Sequence, residues 1–571
     1  MSLPTAGPWT RADTRLLVVV VALAVTTWLP RFRGPIDLRY DAGVYYTLGT
    51  SLAQGKGYRL LNEPGAIQAI QYPPLLPVFA AIHERLLGSS DPVKVGHWLR
   101  ISAFLLFVGY AAAVYGMSRR FLTRGYAFLV AAMCAVHTQT VFMSDSFAAD
   151  VPYGFVSTLF FLVGGGFGAG LLAVASYAIR SAGVALLGAW IGESVLRIRL
   201  RQAALRAAVA IVALGTWQVY TSGVKHSPEY QQPAYAYQRA GYQFYNVGYL
   251  ENMAYKDPFR PELGQASSRD LVKRVLVNLG ELPMGLGEGV SVHRGWWRSE
   301  VEKLNQKVPA IHAPKWLADV AIIILCLLVI AGTVLLAWHG YWIIGLYLVG
   351  ALLLMALTPW PGQFIRYLVP LTPFLTLALV YALAAASAWA AQTAHWVWRS
   401  ARLCLLGAVS VILIQHCYAL YKTYTKYLHP AVFVDAAGKR HDYRLLFHDR
   451  TWQLHDDALD WLARRAKPGE IVATSAPHWA YLKTGLPSVM PPYVPDGAEA
   501  DRLISAVPVT YLIVDRLEFV DIGRRYTTPI VAHAPDQWRL IYFVNDTGPR
   551  IYQREVSAVP ASKVAASRGA K

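Results

Sequence analysis

Charged residues are scarce in this sequence. Asp, Glu, Lys and Arg account for 15% of its 571 residues, whereas soluble globular domains contain about 25%. The 44 glycines and 33 prolines follow no short period, and aromatic residues reach 12%. These figures exclude a collagen-like or a disordered chain, and they do not fit an ordinary soluble protein.

Cysteine is also rare, with four residues in the whole chain. All four lie in apolar runs, where a cysteine is expected to be a small buried apolar side chain. The sequence therefore predicts neither a disulfide framework nor a cysteine metal site. The four residues are Cys134, Cys326, Cys404 and Cys417.

Acidic residues are fewer than basic ones, 35 against 53, which gives a net charge of +18. Nucleic-acid-binding proteins carry such an excess on soluble domains. Polytopic membrane proteins collect Lys and Arg in their cytoplasmic loops. Because hydrophobic residues make up 55% of the chain, the composition favours a membrane protein without a nucleic-acid partner.

Apolar runs of membrane-spanning length recur along the chain. The first covers residues 16–29, and no small-residue cleavage pattern follows it. We interpret it as a retained helix whose N-terminus is cytoplasmic, rather than as a signal peptide. Further runs begin near Trp98, Tyr126, Ala207, Trp316, Tyr341, Tyr367 and Leu403.

Residues 151–196 are apolar but contain five glycines, Arg180 and Glu193. The stretch fits three short crossings, or one crossing with a re-entrant segment. Basic clusters at 119–124, 197–206 and 399–402 share the cytoplasmic side only if the number of crossings here is odd. We therefore predict a mainly α fold, a polytopic bundle of about eleven spans with an extracytoplasmic C-terminus.

Two domains are predicted. Residues 1–425 form the transmembrane domain, with extracytoplasmic loops at 31–96, 143–150 and 222–315. Residues 426–571 form a small extracytoplasmic α/β domain with a flexible tail. Its pattern predicts a helix at 456–467 and strands at 470–475, 509–515 and 540–544. The expected location is the cytoplasmic (inner) membrane of a bacterium.

Acidic residues stand out at two outer helix ends. Asp41 precedes a predicted amphipathic helix at 42–54, where it fits either an N-cap or a general base at the membrane surface. Asp145 and Asp150 lie between two apolar runs. They fit helix caps, or a second acidic group that faces the same cavity as Asp41.

Two arginines also lie at outer helix ends. Arg180 follows an apolar run, and a charge in such a place indicates a function or a paired partner. Arg366 fits either a side chain that reaches the lipid headgroups or a clamp on a phosphate.

These residues occur in an order that resembles the GT-C membrane glycosyltransferases. The branch is the one containing protein O-mannosyltransferases and the lipid A aminoarabinose transferase. The resemblance is strongest over the first 220 residues or so and general in the C-terminal domain. Its motifs are Asp41-x-x-x-Tyr45, Gln54-Gly-Lys-Gly-Tyr58, Tyr72-Pro-Pro74, residues 144–153, Arg180 with Gly183, and Arg366-Tyr367-x-x-Pro370.

The resemblance implies a polyprenyl-phosphate-linked sugar as donor and a glycan, lipid or protein as acceptor, with inverting transfer on the extracytoplasmic face. It implies that Asp41 is the catalytic base and that Asp150 or Asp145 is the second acidic residue. The lipid phosphate would be bound by Arg366 and Arg180. The residues expected to contact substrate are Tyr45, Tyr58 and Tyr72.

The sequence departs from the family at two places. Ala42 stands where many relatives have an acidic residue, and Gln71-Tyr72 stands where a basic residue often precedes the Pro-Pro pair. No cofactor or metal ligand is predicted, and a requirement for a divalent metal is left open.

The competing hypothesis is a transporter or flippase of a lipid-linked precursor, and a lipid-phosphate hydrolase ranks third. A transporter is expected to have polar residues at mid-membrane and repeated halves. The polar residues here gather at helix ends, which favours the transferase.

Overall fold

The computed structural model describes residues 7–308, 312–392, 396–435, 437–517 and 521–555. The chain forms two compact units. Unit 1 comprises Met1–Tyr58, Ala69–Ser227 and Ala266–His448, and unit 2 comprises Arg59–Gln68, Pro228–Gln265 and Asp449–Lys571. The predicted boundary at residue 425 is therefore earlier than this division, and residues 556–571, at the end of the predicted C-terminal domain and its tail, lie outside the described residues.

Unit 1 is built of helices. Before residue 228 they are α1 (Arg11–Trp28), α2 (Asp41–Ala53), α3 (Leu75–Leu87), α4 (Pro92–Ser118), α5 (Arg124–Val136), α6 (Thr138–Met143), α7 (Asp150–Val163), α8 (Gly166–Ile179), α9 (Val184–Leu196) and α10 (Leu200–Lys225). Unit 2 contributes the short helices α11 (Pro228–Gln231) and α12 (Tyr249–Met253). Unit 1 then continues with α13 (Ser268–Glu288), α14 (Arg294–Lys307), α15 (Trp316–Trp338), α16 (Trp342–Leu357), α17 (Phe364–Leu368), α18 (Thr372–Gln392) and α19 (Trp396–Lys422).

Each apolar run predicted from the sequence coincides with a helix. Among the described residues, five helical segments are long and apolar enough to cross a membrane. Five shorter apolar helices accompany them. The chain is thus an integral membrane protein with a mainly α fold, as predicted. The long segments are Arg11–Arg31, Pro92–Ser118, Leu200–Lys225, Trp316–Trp338 and Pro361–Trp389.

The ambiguous stretch 151–196 contains three separate helices, α7 to α9. The first two are 14 residues long and the third 13, so each extends about 20 Å. The turn between α7 and α8 depends on glycine, because Gly164 and Gly166 have φ angles of 75° and 72°. The turn between α8 and α9 is a 3-10 segment, Ser181–Gly183.

A β-hairpin follows α19 and belongs to unit 1, although its residues fall in the predicted C-terminal domain. Its strands are β1 (Leu428–Val434) and β2 (Arg440–Leu446), which pair antiparallel from Leu428 opposite Leu446 to Val434 opposite Arg440. The hairpin was not predicted.

Unit 2 contains a five-stranded sheet with the order β4-β3-β5-β7-β6. Strands β3, β4 and β5 are parallel, and β7 is antiparallel to both β5 and β6. The predicted helix and the three predicted strands are present as α20, β3, β5 and β6, which confirms the α/β class. The elements are α20 (Arg450–Ala463), β3 (Ile471–Ala473), α21 (Pro477–Thr484), β4 (Ser488–Val489), α22 (Gly497–Ser505), β5 (Val509–Val514), α23 (Thr528–His533), β6 (Trp538–Tyr542) and β7 (Arg550–Arg554).

The cysteines only partly follow the prediction. Cys134 and Cys326 are buried, as expected, whereas Cys417 is exposed. Cys417 lies on α19, whose apolar residues do not all face the protein interior, since Val411 and Ile414 are also largely exposed. The side chain of Cys404 lies outside the described part of the chain.

Candidate active site

Four charged side chains meet in unit 1. Nη2 of Arg366 donates to Oδ2 of Asp41 at 2.6 Å, and its Nε donates to Oδ2 of Asp150 at 3.3 Å. Arg180 forms a short ion pair with the other oxygen of Asp150. Two carboxylates and two guanidinium groups therefore form one continuous network, and their formal charges cancel.

Both carboxylates lie at the beginning of a helix. Asp41 is the first residue of α2 and Asp150 the first residue of α7. Tyr40 and Ala149 occupy the N-cap positions, and neither makes a side-chain capping hydrogen bond. The positive end of each helix dipole stabilises the adjacent carboxylate, but the carboxylates themselves bind the arginines. The N-cap interpretation of Asp41 and Asp150 therefore does not describe their contacts.

Arg180 is placed by the tight turn between α8 and α9. A Cβ atom on Gly183 would lie 2.5 Å from backbone atoms of Ser176 and Tyr177, so only glycine fits there. The Tyr153 hydroxyl donates to the carbonyl of Ala182 at 3.3 Å. The turn that carries Arg180 is thus held against α7.

The four side chains differ in exposure. The side chains of Asp41, Arg180 and Arg366 are 21%, 20% and 24% exposed, whereas that of Asp150 is 0% exposed. A substrate can therefore reach one carboxylate and both arginines. Asp150 is the buried residue that holds the two arginines together.

The three tyrosines named by the sequence analysis lie beside this network. The Tyr72 hydroxyl donates to Oδ1 of Asp41 at 3.2 Å, and the Tyr58 hydroxyl donates to the carbonyl of Tyr72 at 2.9 Å. The ring of Tyr45 is 3% exposed and packs 4.8 Å from that of Tyr72. Burial raises the pKa of the Tyr45 hydroxyl above its usual range, and the nearby Asp41 carboxylate adds to the rise.

Asp145 belongs to a different cluster. Its Oδ1 accepts a hydrogen bond from Nη2 of Arg100 at 3.0 Å, and Nη1 of Arg31 lies 3.9 Å away. All three residues are buried. Of the two aspartates proposed for the second acidic position, it is Asp150 that contacts Arg366.

An apolar cavity of about 780 Å³ adjoins Tyr58. Tyr58 and Pro74 line it from the outer loop, and α3, α8 and α10 supply Val78, Val174 and Trp217. Since the hydroxyl of Tyr58 holds the backbone of Tyr72, two residues connect the cavity to the Asp41 carboxylate.

Two contacts of the site were not predicted. The guanidinium of Arg180 lies 5.4 Å from the ring centre of Tyr367, a favourable cation–π contact. The Tyr347 hydroxyl donates to that of Tyr153 at 2.9 Å and so supports the turn at Ala182. The sequence places Tyr367 next to Arg366, but it contains no signal for the contact between the hydroxyls of Tyr347 and Tyr153. Among the described residues, no group of three or more His, Cys, Asp or Glu side chains could hold a metal ion.

No protein-family model and no curated protein matches this sequence, but solved structures resemble its fold. The apo oligosaccharyltransferase of Archaeoglobus fulgidus superposes with a TM-score of 0.52 at 13% identity, over 96% of this chain and 75% of that one. The archaeal oligosaccharyltransferase AglB from the same organism, in complex with an inhibitory peptide and a dolichol-phosphate, gives 0.50 at 13% identity, over 97% and 76%.

A bacterial structure is similar over its whole length. Apo ArnT from Cupriavidus metallidurans superposes with a TM-score of 0.50 at 13% identity, over 95% of this chain and 98% of that one. ArnT is the lipid A aminoarabinose transferase, and both groups of neighbours are GT-C proteins. The chain therefore has the fold of the GT-C membrane glycosyltransferases, which is the fold that the resemblance of its sequence implied.

Proposed function

We propose that the protein is a membrane glycosyltransferase that moves a sugar from a polyprenyl-phosphate donor to an acceptor hydroxyl on the extracytoplasmic face, with inversion. The observation that carries the proposal is the contact between Asp41 and Arg366, at 2.6 Å. It brings a reachable carboxylate next to a reachable guanidinium, which are the two groups that such a transfer needs.

The reaction is a single displacement. The Asp41 carboxylate takes the proton of the acceptor hydroxyl while that oxygen forms a bond to the anomeric carbon. The bond from this carbon to the phosphate oxygen breaks on the opposite face, and its electron pair leaves with the polyprenyl phosphate. A base for the nucleophile and cations for the departing charge each lower the barrier.

Asp41 can act as a base while it stays bound to its neighbours. Its two oxygens accept hydrogen bonds from Tyr72 and Arg366. Each carboxylate oxygen has two lone pairs, so one lone pair on each remains for a proton. The two bonds fix the orientation of the carboxylate, which is what efficient proton transfer requires.

The arginines can bind the phosphate leaving group. Arg366 uses Nε and Nη2 for the two aspartates, and among the described residues no acceptor is bonded to its Nη1. Arginine has five N–H donors in a planar fork, so donors remain for phosphate oxygens. Arg180, 20% exposed at the side chain, supplies a second cation.

The donor and the location are supported by the fold and the surroundings of the site. AglB, with the same fold, has been solved with a dolichol-phosphate. The apolar cavity beside Tyr58 suits the hydrocarbon part of a lipid substrate. Because the basic clusters at 119–124, 197–206 and 399–402 mark the cytoplasmic side, we place the site on the opposite face of a bacterial inner membrane.

The test uses the purified full-length protein in lipid nanodiscs. The donors are undecaprenyl phosphates that carry a labelled hexose, pentose or aminopentose, and the acceptors are membrane lipid extract and peptides. The readouts are labelled product and released undecaprenyl phosphate. We expect transfer by the wild type and a loss of at least about 100-fold in Asp41→Asn, because a general base contributes about that much or more.

Asp319→Asn is the matched control, since Asp319 is also paired with an arginine and its side chain is 25% exposed. Wild-type turnover by Asp41→Asn would remove Asp41 as the base. Translocation of the labelled lipid across vesicles, with no glycosylated product, would instead assign the protein to the transporters.

A further inference from the structure

A buried ion pair lies immediately before Asp41 in the chain. Arg39 is 1% exposed, and its Nε and Nη2 donate to Oδ1 and Oδ2 of Asp37 at 3.0 and 2.7 Å. Its guanidinium also donates to two carbonyls at the end of the β1–β2 hairpin. These are Leu446 at 2.8 Å and Phe447 at 3.3 Å.

The residue between this ion pair and Asp41 has an unusual backbone. Tyr40 has φ 55° and ψ −137°, a conformation that costs energy for any residue except glycine. The carbonyls of Arg39 and Tyr40 accept from the amides of Ala42 and Gly43, each at 3.2 Å. The backbone at 39–40 therefore forms the first turn of α2 and sets the direction in which Asp41 leaves it.

The segment 34–40 is also held by backbone hydrogen bonds to the loop before α7. The Asp37 amide donates to the carbonyl of Asp145 at 3.2 Å, and its carbonyl accepts from the amide of Phe147 at 3.1 Å. Three residues after Phe147 the chain reaches Asp150. Gly34, at φ 76°, packs so closely on Tyr443 that a Cβ atom would lie 2.3 Å from that side chain. The segment is thus fixed between the hairpin and the loop that leads to Asp150.

We propose that Asp37 and Arg39 are positioning residues, which hold Tyr40 in its strained conformation and thereby direct the Asp41 carboxylate towards Arg366. The inference rests on the proposed function, because it concerns the residue assigned there as the base. Neither Asp37 nor Arg39 contacts the substrate in this proposal. They act through the backbone of residues 40 and 41.

Two physical arguments support a positioning role over simple stabilisation. A buried ion pair gains little net stability, because the desolvation of both charges offsets their attraction. A strained backbone persists only where its surroundings determine it from several sides, and such residues gather at active sites. Here the Arg39 guanidinium makes hydrogen bonds to Asp37, Leu446 and Phe447, and these bonds fix the residue before the strained one.

The experiment compares Arg39→Gln with the double variant Arg39→Gln/Tyr40→Gly in the nanodisc transfer assay with undecaprenyl-phosphate sugars. We expect Arg39→Gln to lower kcat by about 10- to 100-fold, as a displacement of about 1 Å does, with the KM for the donor nearly unchanged. Glycine adopts the conformation of Tyr40 without strain, so the double variant should recover kcat by roughly 5-fold or more.

The control for the loss of an arginine–aspartate pair is Arg298→Gln, at a side chain that is 43% exposed. Arg298 makes the same two-bond pair with Asp319, at 3.1 and 2.7 Å, in another part of unit 1, and the variant should keep wild-type kcat. Hydrogen exchange at the amides of Ala42 and Gly43 provides a readout other than activity. We expect faster exchange there in Arg39→Gln and not in the control.

Two results would overturn the positioning role. One is wild-type kcat in Arg39→Gln while Asp41→Asn is inactive. The other is a loss of kcat in Arg39→Gln that Tyr40→Gly does not reverse, with unchanged exchange at Ala42 and Gly43. If Asp41→Asn itself kept full turnover, the proposed function would fail instead, so the two failures are distinguishable.

Discussion

Nη2 of Arg366 lies 2.6 Å from Oδ2 of Asp41, although 325 residues separate them in the chain. The same guanidinium reaches Asp150 through Nε at 3.3 Å. One cation therefore links the carboxylates at the beginnings of α2 and α7. A planar guanidinium can bond to two carboxylates in fixed directions, whereas the ammonium of lysine is a single point charge.

The first prediction concerns Arg366→Lys. We expect it to lower the kcat of sugar transfer by about 100-fold, because it removes directed donors from a site where negative charge develops. Steady-state kinetics with an undecaprenyl-phosphate sugar measures this. Arg298→Lys, which alters an arginine–aspartate pair at a side chain 43% exposed, should keep its kcat. A kcat for Arg366→Lys within about twofold of the wild type would contradict the assigned role.

The second prediction separates the two aspartates by stability. Asp150→Asn leaves two arginines around an uncharged buried amide, so it should lower the free energy of unfolding by about 3–5 kcal/mol. Asp41→Asn affects a side chain that is 21% exposed and should cost about 1 kcal/mol or less. Denaturant unfolding of both variants in the same detergent measures the difference. Equal transition midpoints would show that Asp150 does not organise the arginines.

Much of the fold could be predicted, because long apolar segments are determined locally. The runs beginning near Trp98, Trp316 and Leu403 have apolar side chains that suit the hydrocarbon core. A helix satisfies the backbone polar groups of such a segment within the segment itself. The β1–β2 hairpin could not be predicted in this way. The hairpin is held by contacts of Tyr443 with Gly34 and of Leu446 with Arg39. Gly34 and Arg39 lie about 400 residues before the hairpin in the chain.

Prediction of the site from the sequence was limited in the same way. The sequence indicated Asp41, Arg180 and Arg366 because charges at the ends of apolar helices are few. It could not choose between Asp145 and Asp150, which are five positions apart, because their partners Arg100 and Arg366 come from different parts of the chain. The hydrogen bond from the Tyr72 hydroxyl to Asp41 likewise depends on packing. The motif Tyr72-Pro-Pro74 does not indicate which way the Tyr72 side chain points.

The third prediction concerns Tyr72→Phe. It removes the hydrogen bond to Oδ1 of Asp41, 3.2 Å long, and keeps the ring that packs on Tyr45. We expect kcat to fall by about 3- to 10-fold, since a hydrogen bond to a charged group is worth about 1.5–3 kcal/mol and only part of this is specific to the transition state. The control is Tyr46→Phe, which removes the hydrogen bond that the Tyr46 hydroxyl, on the helix that carries Asp41, donates to the carbonyl of Ser90. A larger loss in the control than in Tyr72→Phe would show that the effect is structural.

The fourth prediction is a dependence of stability on pH that arises at Glu84, in the helix packed on α2. Glu84 is 3% exposed. Its Oε1 accepts from the Thr50 hydroxyl at 2.7 Å, and its Oε2 has no hydrogen-bond partner among the described residues. Burial raises the pKa of this carboxyl from 4.5 to about 7. Between these two values the folded protein binds a proton that the unfolded chain has released.

The sign follows from this proton balance. Because the folded state binds more protons, the free energy of unfolding falls as the pH rises from about 4.5 to about 7 and stays lower above that range. Glu84→Gln cannot ionise, so it should be more stable than the wild type at pH 8 by about 1–3 kcal/mol after allowance for partial solvation. The difference should vanish near pH 4. Thermal unfolding of both proteins across this range measures it, with Glu302→Gln, at a side chain 54% exposed, as the surface control. A constant difference at all pH values would mean that Glu84 does not titrate in this window, and the stabilisation would then have to come from packing of the amide against Thr50.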